Sequence, residues 1–158
     1  MIAGPVEDHR GRERGSLVYP VFSRRSRGVS VGINLFPDKK RCSFDCPYCE
    51  VFPFAGAAAF SLALMEESLQ ETLAEFSRQG TPAADVCFSG SGEPTMSAHF
   101  PRALESAARI RAEFTPAPAL VLITNGTGLL DPGMFEILRR AAAGPFKLDI
   151  WLKLDAGT

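Results

Sequence analysis

Three of the chain's four cysteines fall within the segment Arg41-Cys42-Ser43-Phe44-Asp45-Cys46-Pro47-Tyr48-Cys49-Glu50. Thiolates at C-x3-C-x2-C spacing suit structural zinc or an iron–sulfur cluster. A closed zinc tetrahedron needs a fourth side chain, for which His9, Cys87 and His99 are the candidates. A cubane cluster on three thiolates instead leaves one iron with an open position, where a substrate or cofactor can bind. His99 reads as a surface residue near a helix start, His9 lies in an N-terminal arm, and Cys87 reads as an inert thiol within a buried strand. Three thiolates on a dicationic cluster sum to about −1. Lys39, Lys40 and Arg41 precede the first cysteine and either offset that charge or face water.

The elements that must position this loop are legible from hydrophobic period. "GVSVGINLF" (28–36) reads as a buried strand ended by Pro37-Asp38. The cysteine segment follows as a loop. Leu62, Met65, Leu69, Leu73 and Phe76 recur at spacings of three and four and predict one helical face, stopped by Gly80 and Pro82. "ADVCFSG" (84–90) predicts a second strand, and Phe100, Leu104, Ala107 and Phe114 a second helix. "ALVLITNG" (119–126) predicts a third strand. Asp131-Pro132 opens a third helix that Gly144 closes, and "KLDIWLKLDA" (147–156) predicts a fourth strand. Alternation of strand and helix implies βαβ units and a parallel sheet. "SLVYPVFSRRSRG" reads as a short extended segment that Pro20 confines to an edge or an irregular position. Because the last strand lacks a covering helix, the expectation is a truncated chain.

Composition sets the frame. At 158 residues, 46% hydrophobic and 22% charged, the chain reads as one globular domain or part of a larger one. No run has the length of a membrane span or the character of a signal peptide, so the expected location is cytoplasmic, with no membrane partner. A reducing compartment shifts the cysteines from disulfides towards metal or redox chemistry. Residues 1–41 hold nine Lys/Arg against four Asp/Glu, and residues 42–158 eight against fourteen. Residues 1–16 read as a flexible basic arm, either solvated or RNA-binding, ahead of a domain over 17–158.

In parallel α/β folds, ligands bind at the C-terminal strand ends. Those ends read "NLFPDKK" with the cysteines, "SGSGEPT", "TNGTG" and "KLDAGT". Lys153 and Asp155, two apart, point to one side of the fourth strand. Facing a barrel interior, they would need one another or a ligand, as an ion pair or as catalytic groups.

Cys42-x3-Cys46-x-Tyr48-Cys49, placed after the first strand, resembles the cluster-binding signature of the radical S-adenosylmethionine superfamily. The resemblance implies an α/β fold, the N-terminal part, about four βα units, of a partial (β/α)6 TIM-like barrel. It implies a [4Fe–4S] cluster on Cys42, Cys46 and Cys49 and S-adenosylmethionine as cofactor. Tyr48 resembles the family aromatic that packs near adenine. Gly90-Ser91-Gly92-Glu93 resembles the family's Gly-Gly-Glu motif, which contacts the methionyl amino group, with Ser91 in place of the first motif glycine. Asn125 matches a ribose or substrate contact. The resemblance further implies reductive cleavage to a 5′-deoxyadenosyl radical, an external flavodoxin- or ferredoxin-like electron donor, and a substrate for which RNA is one option. A distant likeness extends to the enzymes that build tricyclic wyosine bases in tRNA. Against these readings stand a non-catalytic zinc- or cluster-bearing module and an electron carrier, the latter needing Cys87 as fourth ligand.

Overall fold

The computed structural model describes residues 16–56 and 58–153. Asp155, His9 and all of the expected arm but Ser16 lie outside the described residues. The elements are β1 (Val18–Ser23), β2 (Gly28–Ile33), α1 (Leu62–Arg78), β3 (Asp85–Phe88), α2 (Phe100–Arg111), β4 (Ala119–Thr124), α3 (Pro132–Ala143) and β5 (Leu148–Leu152). They form an α/β fold on a five-stranded sheet of spatial order β1-β2-β3-β4-β5. β2 to β5 pair parallel, and β1 adds antiparallel to the β2 edge. Pro20, which has no N–H for a ladder, sits in this edge strand as its chemistry requires.

Register sorts the strand residues into two faces. Val31, Val86 and Leu120 are aligned across β2, β3 and β4, and with Val29, Ile33, Phe88 and Leu122 they join the buried core. The helices supply the rest of that core. Met65, Leu69, Leu73 and Phe76 of α1 are buried, as are Phe100, Leu104 and Ala107 of α2. Burying each such large side chain favours folding by about 1.5–3 kcal/mol. The Ser61 hydroxyl caps α1 through Leu64 N, and the Asp131 carboxylate caps α3 through Met134 N at 2.7 Å, with Pro132 in the first turn.

The other face carries Ser30, Gly32, Cys87, Ser89, Ile123 and Trp151 and lines a cavity of about 440 Å³. Gly32 is required there: a Cβ would meet the Tyr19 ring at 2.3 Å. The ring crosses the sheet face at this point, and its hydroxyl hydrogen-bonds Ser89 Oγ at 2.8 Å. β2 and β3 are therefore covered on both faces, as their unbroken apolar character predicts.

The first parallel strand is shorter than the 28–36 expected from apolar content. Asn34, 1% exposed, ends it, because its side-chain oxygen accepts from Phe36 N at 3.1 Å and Ser91 N at 3.0 Å. The chain then turns towards the cysteine loop. Among the described residues, no helix is long and apolar enough to cross a membrane.

Candidate functional site

The cysteine loop is tied to the end of β3 through its neighbour in sequence. Arg41 N donates to Ser91 O at 3.0 Å, Glu93 N donates to Arg41 O at 2.8 Å, and Arg41 and Gly92 form an isolated parallel bridge. Only glycine permits this contact. Gly92 has φ +150, and a Cβ there would lie 1.7 Å from Arg41 O. Gly90, at φ +126, lies beside Asn34 in the same way. The turn "GSGE" thus sets the backbone of Arg41, and with it the starting point of the loop that carries Cys42.

Glu93 closes the arrangement from below. It is 2% exposed, and its Oε1 accepts from Thr95 N at 3.2 Å, Thr95 Oγ1 at 2.7 Å and Thr124 Oγ1 at 2.7 Å. Its Oε2 accepts from Asn125 N at 2.7 Å. A carboxylate offers about four lone-pair sites, and these bonds leave Oε2 with room for one further donor. The carboxylate joins the ends of β3 and β4 and still presents an acceptor edge to the site.

Asn125 links β4 to the loop. Its amide nitrogen donates to Ser43 Oγ at 3.0 Å and approaches Cys42 Sγ at 3.7 Å, and its oxygen accepts from Thr127 N and Thr127 Oγ1. Ser43 Oγ also hydrogen-bonds Thr127 Oγ1 at 2.9 Å. The loop is therefore held at two points, by the β3 turn at Arg41 and by the β4 end at Ser43.

Cys42, Cys46 and Cys49 line one cavity of about 610 Å³ together with Tyr48, Gly92, Glu93, Asn125 and Lys153. All three cysteines are half-buried. Among the described residues, no three His, Cys, Asp or Glu side chains stand close enough to hold a single metal ion. The donor set suits a larger group: three soft thiols on one loop line one opening, whose lining holds no fourth cysteine and no histidine, only the carboxylates of Glu50 and Glu93. Cys87 faces the sheet's other cavity, where burial pushes its thiol up to about 12, and the exposed His99 stacks on Phe60 with ring centroids 4.9 Å apart. Cys87 is buried within a strand and His99 is exposed at a helix start, where the sequence reading places them.

The remaining sequence candidates divide. Tyr48 is 55% exposed on the cavity wall. Lys153 follows β5 directly, its N–H bonded to Thr124 O at 2.8 Å, and it lines the cavity as an exposed residue rather than the buried one that an interior position implied. Arg41 pairs with Asp38 at 3.1 Å, and its guanidinium lies 5.8 Å from the Phe36 ring centroid. The sequence reading missed Asn34, Thr95, Thr124 and Thr127. The available signal was a polar residue at the end of each apolar run, with Asn34 standing inside "INLF".

Comparison with known proteins finds similar sequences. The family model described as the Radical SAM superfamily matches residues 38–152. A UPF0026 protein of Helicobacter pylori (strain J99 / ATCC 700824) is 30% identical over 131 residues, covering 82% of this chain and 41% of that protein. A second UPF0026 protein, from H. pylori (strain ATCC 700392 / 26695), is 30% identical over 145 residues, covering 87% and 44% respectively. The chain thus spans less than half the length of these curated relatives. No solved structure matches. The match spans the cysteine loop, the Gly-Ser-Gly-Glu turn and the ends of three of the four parallel strands, β3, β4 and β5, and the chain belongs to the radical S-adenosylmethionine superfamily.

Proposed function

We propose that this chain carries the cluster- and cofactor-binding part of an enzyme that cleaves S-adenosylmethionine reductively. The observation that carries the reading is the convergence of Cys42, Cys46, Cys49, Glu93 and Asn125 on one cavity at the C-terminal ends of the parallel strands. Cys42, Cys46 and Cys49 would hold a [4Fe–4S] cluster. When bound, the cluster and S-adenosylmethionine would supply the chemistry, one-electron reductive cleavage of the sulfur–C5′ bond to a 5′-deoxyadenosyl radical, with the electron drawn from an external donor.

The chain's own residues do the placing. Glu93 Oε2 offers its free acceptor edge to the methionyl ammonium, a charge-assisted bond. Asn125 fixes Ser43 and the first cysteine relative to β4. Tyr48 lines the same cavity and would offer its ring to the adenine.

The test is anaerobic reconstitution with iron and sulfide. About four irons and four sulfides per chain are expected, with the cluster's electron paramagnetic resonance signal altered by S-adenosylmethionine and 5′-deoxyadenosine formed on reduction of the full-length protein. Cys42→Ala, Cys46→Ala or Cys49→Ala abolishes loading. A colourless chain that binds one zinc through four protein ligands would overturn the reading.

A further inference from the structure

The cavity on the sheet face opposite the helices is not explained by cofactor binding. It is lined from one sheet edge to the other, by Tyr19 and the β1–β2 turn on one side and by Trp151 and Lys153 on the other. It shares Ile123 and Lys153 with the cysteine cavity, so the two adjoin at the end of β5. Its volume, about 440 Å³, falls in the range of small-molecule sites.

Its charge is one-sided. Arg24, Arg25 and Lys153 line it, and no acidic residue does. None of the three cations forms an ion pair with a described residue. Asp85, buried at the start of β3, takes the Ser30 hydroxyl on Oδ1 at 2.5 Å and is not part of the lining. The arginines stand on a fixed turn, in which Ser23 Oγ accepts from Ser26 N at 3.1 Å and from Ser26 Oγ at 3.0 Å. Arg25 reaches across the opening, its guanidinium 4.8 Å from the Trp151 ring centroid. A stacked guanidinium keeps its N–H fork for a planar or tetrahedral anion, and two guanidiniums with a lysine suit a doubly charged group better than a single carboxylate. β1 and its turn precede residue 38, where the family match begins.

We propose that Arg24, Arg25 and Lys153 make this cavity a subsite for a phosphoryl-bearing substrate, held next to the cofactor cavity. The proposal rests on the reading that the adjoining cavity hosts the radical chemistry, but its test needs neither cluster nor S-adenosylmethionine, so the two fail separately. Trp151 is the chain's single tryptophan and reports on Arg25 directly. Titration with inorganic phosphate, uridine 5′-monophosphate and a single-stranded oligouridylate is expected to change its fluorescence saturably. A tighter oligonucleotide than mononucleotide identifies a polynucleotide as the source of the phosphate, and equal affinities a small molecule; either sustains the proposal. Arg24→Gln, which leaves the Trp151 stack in place, is expected to weaken binding about ten- to hundredfold. Arg25→Gln, read by calorimetry because it changes the reporter, loses as much, and Arg25→Lys recovers only part. No saturable response to any of the three probes, or an unchanged affinity in Arg24→Gln and Arg25→Gln with native circular dichroism, would overturn it.

Discussion

Glu93→Gln tests whether the buried carboxylate is the clasp between the β3 and β4 ends. The side chain changes by one atom, yet its four donors do not adapt equally. Thr95 Oγ1 and Thr124 Oγ1 can rotate to accept from the new amide, but Thr95 N and Asn125 N can only donate. The two amide groups bond opposite oxygens, so whichever way the glutamine is flipped, its NH2 faces one of them. That leaves one backbone N–H unsatisfied at a site 2% exposed, a cost of about 1–3 kcal/mol. Charge assistance to the other donors is also lost, and the expected destabilisation is about 2–4 kcal/mol. Urea unfolding with an m-value of about 2 kcal/mol/M would show this as a midpoint lowered by about 1–2 M with the slope unchanged. A shift equivalent to less than about 0.5 kcal/mol, within ordinary surface-mutation scatter, would refute the clasp.

Two further outcomes follow from the same framework. Gly92→Ala places a Cβ 1.7 Å from Arg41 O at φ +150; a strain of about 1–3 kcal/mol releases the Arg41 pairing and is expected to raise protease cleavage within 41–56, which mass spectrometry of the fragments checks. Alkylation of the metal-free, reduced chain at pH 8 is expected to label Cys42, Cys46 and Cys49 but spare Cys87 until denaturant is added. The Cys87 pKa is raised from 9.0 to about 12, first by burial, so its contribution to stability is present below pH 9.0 and is lost as pH rises towards 12. Cys87→Ala is expected to flatten that alkaline decline in a pH series of urea midpoints, and an unaltered decline would contradict it.

The helices were legible because their signals are local, except that α2 ends at Arg111, short of the expected Phe114. The α1 face Met65, Leu69, Leu73 and Phe76 is buried as its spacing predicts, and Asp131-Pro132 and Gly144 bound α3 where capping chemistry places them. Strand ends were not, because they are decided by side chains from elsewhere. Asn34 stops β2 by bonding a turn 57 residues away in sequence, and nothing in "GINLF" records that partner. The parallel pairing followed from the βα rhythm, while Pro20 left β1 either at an edge or irregular, and its antiparallel pairing with β2 was not legible. The clasp did not: a glutamate after glycines reads equally as a ligand contact or a turn, and only the positions of Thr95, Thr124 and Asn125 show that it joins two strand ends.

Ser91 illustrates how a departure from a family pattern becomes structural. As a substitute for the first motif glycine it raised the question of whether the turn keeps its shape. It is 3% exposed, its N–H donates to Asn34 Oδ1, its carbonyl accepts from Arg41 N, and its hydroxyl lies 3.3 Å from Asn34 Nδ2. A glycine would keep the two backbone bonds and lose the hydroxyl, so the serine adds a tie to Asn34 without obstructing Arg41. The neighbouring positions have no such freedom, since Gly92 meets backbone and Gly90 meets the Asn34 side chain. The turn therefore tolerates a side chain only at its middle residue, where one can point back towards Asn34 and away from the cysteine loop.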